Sequence, residues 1–194
     1  MKIYLDFDRT IFDNDLFLED LYHLQEEYYL PNDLYTKCYK KIKDKGFNPY
    51  HIFQMMEKEI KIDQEFYQKV EELMKNTSKY IYQDVLPFLE KVKKRGYKLI
   101  LFTKGEEHFQ LKKIENAHLL DSFDAILNTL KLKGELDLDY EESIFIDDNP
   151  NDLLSILKRN PKRLIRVKRE NTKYYNQEMK EEIETVSSFE EIKL

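Results

Sequence analysis

Three apolar runs of strand length in this chain each stop at a group of polar, chemically capable side chains, and this repeated pattern constrains the fold more than any other feature. Met1-Lys2-Ile3-Tyr4-Leu5 runs into Asp6-Phe7-Asp8-Arg9-Thr10, and Tyr97-Lys98-Leu99-Ile100-Leu101-Phe102 runs into Thr103-Lys104-Gly105. Ser143-Ile144-Phe145-Ile146 runs into Asp147-Asp148-Asn149-Pro150. Apolar runs of this kind suit strands buried on both faces of a parallel sheet. Helical patterns lie between them, and alternating strands and helices indicate an α/β fold with a doubly wound parallel sheet. Ligands bind such sheets outside the carboxyl ends of the strands, so the three polar ends are expected to converge on one crevice. Side chains alternate faces along a strand, so Asp6 and Asp8 are expected to project from the same side at the carboxyl end of the first run. Two adjacent acids repel, so burying them calls for a cation or a proton. A metal site, an acid/base pair, or both would account for them, and a strand end entering a polar loop is the plain alternative.

The order of these motifs resembles that of the haloacid dehalogenase superfamily: Asp-x-Asp-x-Thr at Asp6 to Thr10, a Thr after a strand at Thr103, a lysine, and then the acidic pair Asp147-Asp148. The likeness covers roughly the first dozen residues and everything from about Asp84 onward. The stretch between them stands where members often insert a helical cap. Arg9 departs from the pattern, because Gly is frequent at that place. The resemblance implies phosphoryl transfer through an aspartyl-phosphate, with Asp6 as nucleophile and Asp8 as acid/base. Thr103 Oγ and the backbone N–H groups of Lys104 and Gly105 would hold phosphoryl oxygens. A lysine would neutralise phosphate charge. Lys131 and Lys133 are the two candidates. Lys133 is preferred, because Gly134-Glu135-Leu136 resembles a turn into a following element. Mg²⁺ would be held by Asp6, the Asp8 backbone carbonyl and the pair Asp147 and Asp148, with Asp148 as direct ligand, Asp147 as ligand or support, and Asp152 as a further candidate. The expected activity is Mg²⁺-dependent hydrolysis of a small phosphorylated metabolite. The alternatives are a phosphotransferase, a dehalogenase, or a non-catalytic phosphate- or partner-binding domain of the same fold. A dehalogenase has no need of Asp8.

The chain has 194 residues, enough for one compact core and a small accessory lobe. The expected division is a Rossmann-like core of residues 1–13 and 82–194 with an inserted helical cap of residues 14–81. In that block Asn14 or Asp15 can cap a first helix, a second runs from Asp33 towards Lys45 before Gly46, and a third begins after Pro49. Asp63 can cap a fourth, with Phe66, Val70, Leu73 and Met74 at helical spacing. Tyr22, Tyr28, Tyr29, Tyr35 and Tyr39 are read first as packing of this lobe and second as substrate contacts. A net charge of −6 argues against a nucleic-acid partner. No apolar run is long enough to span a membrane, and Asp6 and Asp8 interrupt the place of a signal peptide's apolar region. Cys38 is the only cysteine, which excludes an intramolecular disulfide. A cytoplasmic location with no membrane partner is expected.

Overall fold

The computed structural model describes residues 1–194. In chain order its elements are β1 (Lys2–Leu5), α1 (Asn14–Glu27), α2 (Asn32–Ile42), α3 (Pro49–Met56), α4 (Gln64–Lys75) and α5 (Val85–Lys94). There follow β2 (Lys98–Lys104), α6 (Glu107–Asn116), β3 (Ala125–Thr129), β4 (Ser143–Asp147), α7 (Pro150–Leu157), β5 (Arg163–Val167) and β6 (Glu184–Val186). The six strands form one sheet in the order β3-β2-β1-β4-β5-β6, and every pairing is parallel. This is the expected doubly wound, Rossmann-like α/β architecture. Short β6 has no counterpart in the sequence reading.

Strand alternation sends successive residues to opposite sides of the sheet, and both sides are covered. Ile3, Leu5, Leu99, Leu101, Ile144 and Ile146 enter one apolar cluster together with Val85, Phe88 and Val92 of α5 and Phe109 and Ile114 of α6. Tyr4, Ile100, Phe102, Phe145 and Leu164 enter a second, closed by Leu153 and Ile156 of α7 and by Tyr140. The Tyr4 ring stacks on Phe145 at 4.6 Å, and Phe145 stacks in turn on Tyr140 at 5.0 Å.

Helices α1 to α4 fill the interval between β1 and α5. Their inward residues, including Phe17, Phe53, Phe66, Val70 and Met74, are fully buried and continuous with the first sheet cluster. The first helix is capped by Asp13, whose side chain accepts from Leu16 N, and not by Asn14 or Asp15 as expected. Asp63 caps α4 as read, accepting from Glu65 N. Gly46, at φ +88°, presses onto the loop after β2, where a Cβ would lie 2.3 Å from Glu106 N. Only glycine fits there. Asn48 then donates to Glu106 Oε2 at 3.0 Å, tying the helical block to the start of α6. Cys38 is buried and free. No helix is long and apolar enough to cross a membrane.

Candidate active site

Leu5 of β1 lies in register with Ile146 of β4, so the next residues, Asp6 and Asp147, meet side by side at the carboxyl edge of the sheet. Asp6 N–H donates to Ile146 O at 2.9 Å, which pins the backbone there. One carboxylate oxygen from each of Asp6, Asp147 and Asp148 lies within 4.8 Å of the others, and all three residues are buried. Between them stands Lys133. Its Nζ donates to Asp6 Oδ1 at 2.5 Å and to Asp147 Oδ2 at 2.6 Å, while Lys131 is exposed and holds only Thr129 Oγ1 through its backbone N–H. Lys133 reaches this position because its turn lies hard against α7: a Cβ on Gly134 would sit 2.1 Å from Ser155 O. Asp152 anchors the same turn by accepting from Lys133 N at 3.0 Å and from Asn149 Nδ2 at 2.6 Å. It stands outside the three-acid group and serves as a brace.

Burial dominates the electrostatics. It pushes the Asp6 carboxyl above its ordinary value despite the Lys133 ammonium, and Asp8 adds to the rise. It lifts Asp147 to about 7, with Asp6 and Asp152 pushing the same way against Lys133, and it raises Asp148 well above the ordinary range. Burial works against charge on Lys133 as well, but Asp147, Asp6 and Asp152 outweigh it and hold the ammonium above its usual value. One lysine thus faces three buried acids. Asp148 Oδ2 is buried with no hydrogen-bond partner. An excess of hard, clustered carboxylate oxygens with one left unsatisfied is a donor set that fits Mg²⁺.

Asp8 is placed differently from the expectation. The strand ends at Leu5, and the alternation that would put Asp6 and Asp8 on one side does not carry through. Ile11 N and Phe12 N both donate to Phe7 O at 2.9 Å, and Arg9 adopts φ +65°, so the chain turns sharply after Phe7. This left-handed conformation explains why a glycine would suit the position, and Arg9 is held in it by a two-pronged pair with Asp15 at 2.8 Å for each bond. The turn aims Asp8 at α6. There Lys113 Nζ donates to Asp8 Oδ1 at 2.5 Å and Gln110 Nε2 donates to Oδ2 at 2.8 Å. Lys113 is 1% exposed, lies over the Phe7, Phe12 and Phe109 rings, and has its pKa lowered by that burial against the pull of Asp8.

Sequence reasoning missed Gln110 and Lys113. Their i,i+3 spacing beside apolar Phe109 and Ile114 was the available signal, since it places two polar groups on the buried side of a helix. It also missed the segment after β5. There Tyr174 and Lys173 line the crevice, and Arg166 Nη2 fixes the segment by donating to Tyr174 O and Gln177 O.

The crevice has a volume of about 840 Å³ and is lined by Asp6, Asp8, Asp147, Asp148 and Asp152, by Lys104 and Gly105 and, from the helical block, by Tyr39 and Phe47. Thr103 does not form part of this wall; it is buried beneath, and its Oγ1 has no partner. Of the five tyrosines singled out in the helical block, Tyr22, Tyr35 and Tyr39 border the cavities, Tyr28 packs edge-on against Phe66 at 5.6 Å, and Tyr29 faces solvent.

The fold is shared with solved structures of low sequence identity. A haloacid dehalogenase-like hydrolase from Burkholderia xenovorans LB400 matches with a TM-score of 0.76 at 18% identity, over 96% of this chain and 92% of that one. A HAD phosphatase from Thermococcus onnurineus matches at 0.60 and 20% identity, over 98% of this chain and 95% of that one. The L-2-haloacid dehalogenase from Xanthobacter autotrophicus with chloropropionic acid covalently bound matches at 0.57 and 14%, over 90% and 79%. No curated protein matches the sequence significantly. The family model for haloacid dehalogenase-like hydrolases matches residues 3–165, a span that runs from β1 into β5 and holds the Asp6 to Thr10 turn, Lys133 and the Asp147-Asp148 pair. The chain therefore belongs to the haloacid dehalogenase-like hydrolase family.

Proposed function

We propose that this hydrolase is a Mg²⁺-dependent phosphomonoesterase that works through an aspartyl-phosphate on Asp6. One observation carries the reading: Asp6 sits in a buried three-acid group with Lys133, while a second carboxylate, Asp8, faces the same crevice and is gripped separately by Lys113 and Gln110. A dehalogenase has no use for so carefully held a second acid. An Asp6 oxygen would form the new bond to phosphorus as the bond to the alcohol oxygen breaks, and Asp8 would give its proton to the departing alkoxide. In the second half, Asp8 would take a proton from water as that water attacks phosphorus, which releases phosphate and restores Asp6. Lys113 and Gln110 would fix the direction in which Asp8 presents its oxygens. Lys133, Lys104 and the backbone of Lys104 and Gly105 would meet the phosphoryl oxygens, with Thr103 as support below. Asp6, Asp147 and Asp148, with the Asp8 backbone carbonyl, would hold Mg²⁺. When bound, the ion supplies Lewis-acid polarisation of the phosphoryl group.

The block of residues 14–81 would act as a cap that bounds the crevice and restricts it to small substrates, since Tyr39 and Phe47 already form part of the wall. The buried free Cys38 accords with work in a reducing compartment such as the cytoplasm. The test is phosphate release from a panel of alkyl, aryl and sugar phosphates, with Mg²⁺ and with chelator. The expected result is Mg²⁺-dependent turnover that falls by about a thousandfold or more in Asp6→Asn. Halide release from haloacids without phosphate release from any ester would overturn the reading.

A further inference from the structure

The crevice adjoins a second chamber of about 450 Å³ between the helical block and the core. The two spaces differ in character. The acids Asp6, Asp147 and Asp148 line the first and are absent from the second, whereas Asp8, Lys104 and Gly105 border both. Asp8 therefore stands at the junction between a polar, phosphate-sized side and the chamber. On the phosphatase reading, on which this inference rests, the proton from Asp8 goes to the alcohol oxygen, so the alcohol lies on the chamber side of Asp8.

The apolar part of the chamber wall is Leu18, Leu21, Tyr22, Tyr35, Tyr39 and Phe47, and Arg9, Lys104 and Lys173 lie on its polar side with Asp8. Its polar groups near Asp8 are already engaged: Lys113 and Gln110 bond the Asp8 carboxylate, and Asn14 lies against Lys113. Two amide oxygens are nevertheless without a donor, Gln110 Oε1, whose Nε2 holds Asp8, and Gln25 Oε1, and Gln25 is the one that takes no part in holding Asp8. It is 2% exposed, its Nε2 reaches only Leu21 O at 3.4 Å, and its Oε1 has no partner. A buried acceptor without a donor is unfavourable, and buried amides are otherwise almost always paired. The chamber is the side from which a missing donor can come.

We infer that the chamber is the alcohol pocket of this enzyme and selects a phosphomonoester whose alcohol part is a ring-sized, largely apolar group carrying an O–H or N–H donor for Gln25 Oε1. Aromatic and leucine walls favour such a ring through burial of its apolar surface. A sugar phosphate fits less well, because several of its hydroxyls would lose water against the leucine and aromatic faces of the wall. Recognition by a buried polar group discriminates strongly against an analogue that lacks the matching donor.

The experiment compares kcat/KM, with Mg²⁺, for 2-(4-hydroxyphenyl)ethyl phosphate, 2-phenylethyl phosphate, glucose 6-phosphate and acetyl phosphate. The wild type should prefer both arylethyl esters to glucose 6-phosphate, and the hydroxylated one by about tenfold over its parent. Gln25→Leu should abolish that tenfold gap, with the change falling on KM. Leu18→Trp, which fills the chamber from its partly exposed wall, should reduce efficiency on the arylethyl esters at least about tenfold more than on acetyl phosphate, and it serves if Gln25→Leu does not fold. Equal or better use of glucose 6-phosphate, or a gap untouched in Gln25→Leu, would overturn the inference. If the wild type releases phosphate from none of the four, the phosphatase reading fails. Calorimetric binding of 2-phenylethanol and its 4-hydroxy analogue then decides the chamber alone: tighter binding of the hydroxylated alcohol that is lost in Gln25→Leu supports it, and no binding or equal binding refutes it.

Discussion

Asp84, the residue that opens α5, ties together three distant parts of the chain, and replacing it with Asn isolates what that tie contributes. Its carboxylate accepts from Arg169 Nη1 at 2.7 Å and Nη2 at 2.9 Å, from Ser188 Oγ at 2.8 Å and from Phe189 N at 2.7 Å. Arg169 in turn donates to Thr10 O at 3.1 Å and Ser187 O at 3.3 Å and lies over the Tyr82 and Phe189 rings, so the turn that carries Asp8 is braced through this pair. The side chains are 7% and 9% exposed, which makes this a buried pair. Removing one partner from such a pair costs about 3–5 kcal/mol. Asn keeps one acceptor oxygen and Arg169 keeps its carbonyl partners, so the lower end, about 3 kcal/mol at neutral pH, is expected. For a chain of this size that is a drop in Tm of about 6–12 °C. The pH dependence gives the second check. Burial opposes ionisation of Asp84, but Arg169, the Phe189 N–H and the Ser188 hydroxyl outweigh it and hold the folded carboxyl below its ordinary value. A depressed folded pKa means stability that is present above the unfolded pKa and lost as pH falls through the folded one. The gap between wild type and Asp84→Asn should therefore shrink as pH falls from about 7 to about 3. Urea unfolding of both proteins across that range measures it. A penalty under about 1 kcal/mol at pH 7, or one that widens on acidification, would refute the reasoning.

Three further outcomes are expected. Lys113→Met should lower kcat by about tenfold to a hundredfold by leaving Asp8 aimed only by Gln110, with a small change in stability because a buried ammonium is also removed; unchanged kcat would show that Lys113 does not position Asp8. Without metal, burial pushes the Asp147 carboxyl up to about 7, so the stability tied to its protonated form is lost as pH rises towards that value. Millimolar Mg²⁺ competes with those protons and should raise Tm more at about pH 8 than at about pH 5.5, and calorimetry showing an equal or larger gain at the lower pH would refute the cluster as its site. Gly134→Ala should cost about 2–3 kcal/mol, because its Cβ would meet Ser155 O at 2.1 Å, and should slow turnover by displacing Lys133; wild-type stability in urea would contradict that close approach.

What the sequence determined by itself was the layered α/β core and the meeting of three strand ends. Both follow from period-2 burial and from the rule that parallel strands deliver their carboxyl termini to one edge. Asp6, Asp147 and Asp148 come together because adjacent strands in register bring adjacent ends together, whereas Lys133 is set apart from Lys131 by the turn at Gly134 that packs against α7. Tertiary structure decided what lies off the strands. Asp8 is aimed by a left-handed turn at Arg9, and its partners Lys113 and Gln110 arrive from a helix about a hundred residues away in sequence. Arg169 reaches Thr10 and Asp84 only because β5 returns the chain beside β4. The second chamber and the unpartnered Gln25 depend on how the helices of the inserted block pack, which apolar spacing at 3.6 residues per turn leaves open. Local periodicity specifies which face of each element is buried. Which buried groups then meet is set by loop turns and by packing between segments far apart in the chain, and no local pattern encodes that.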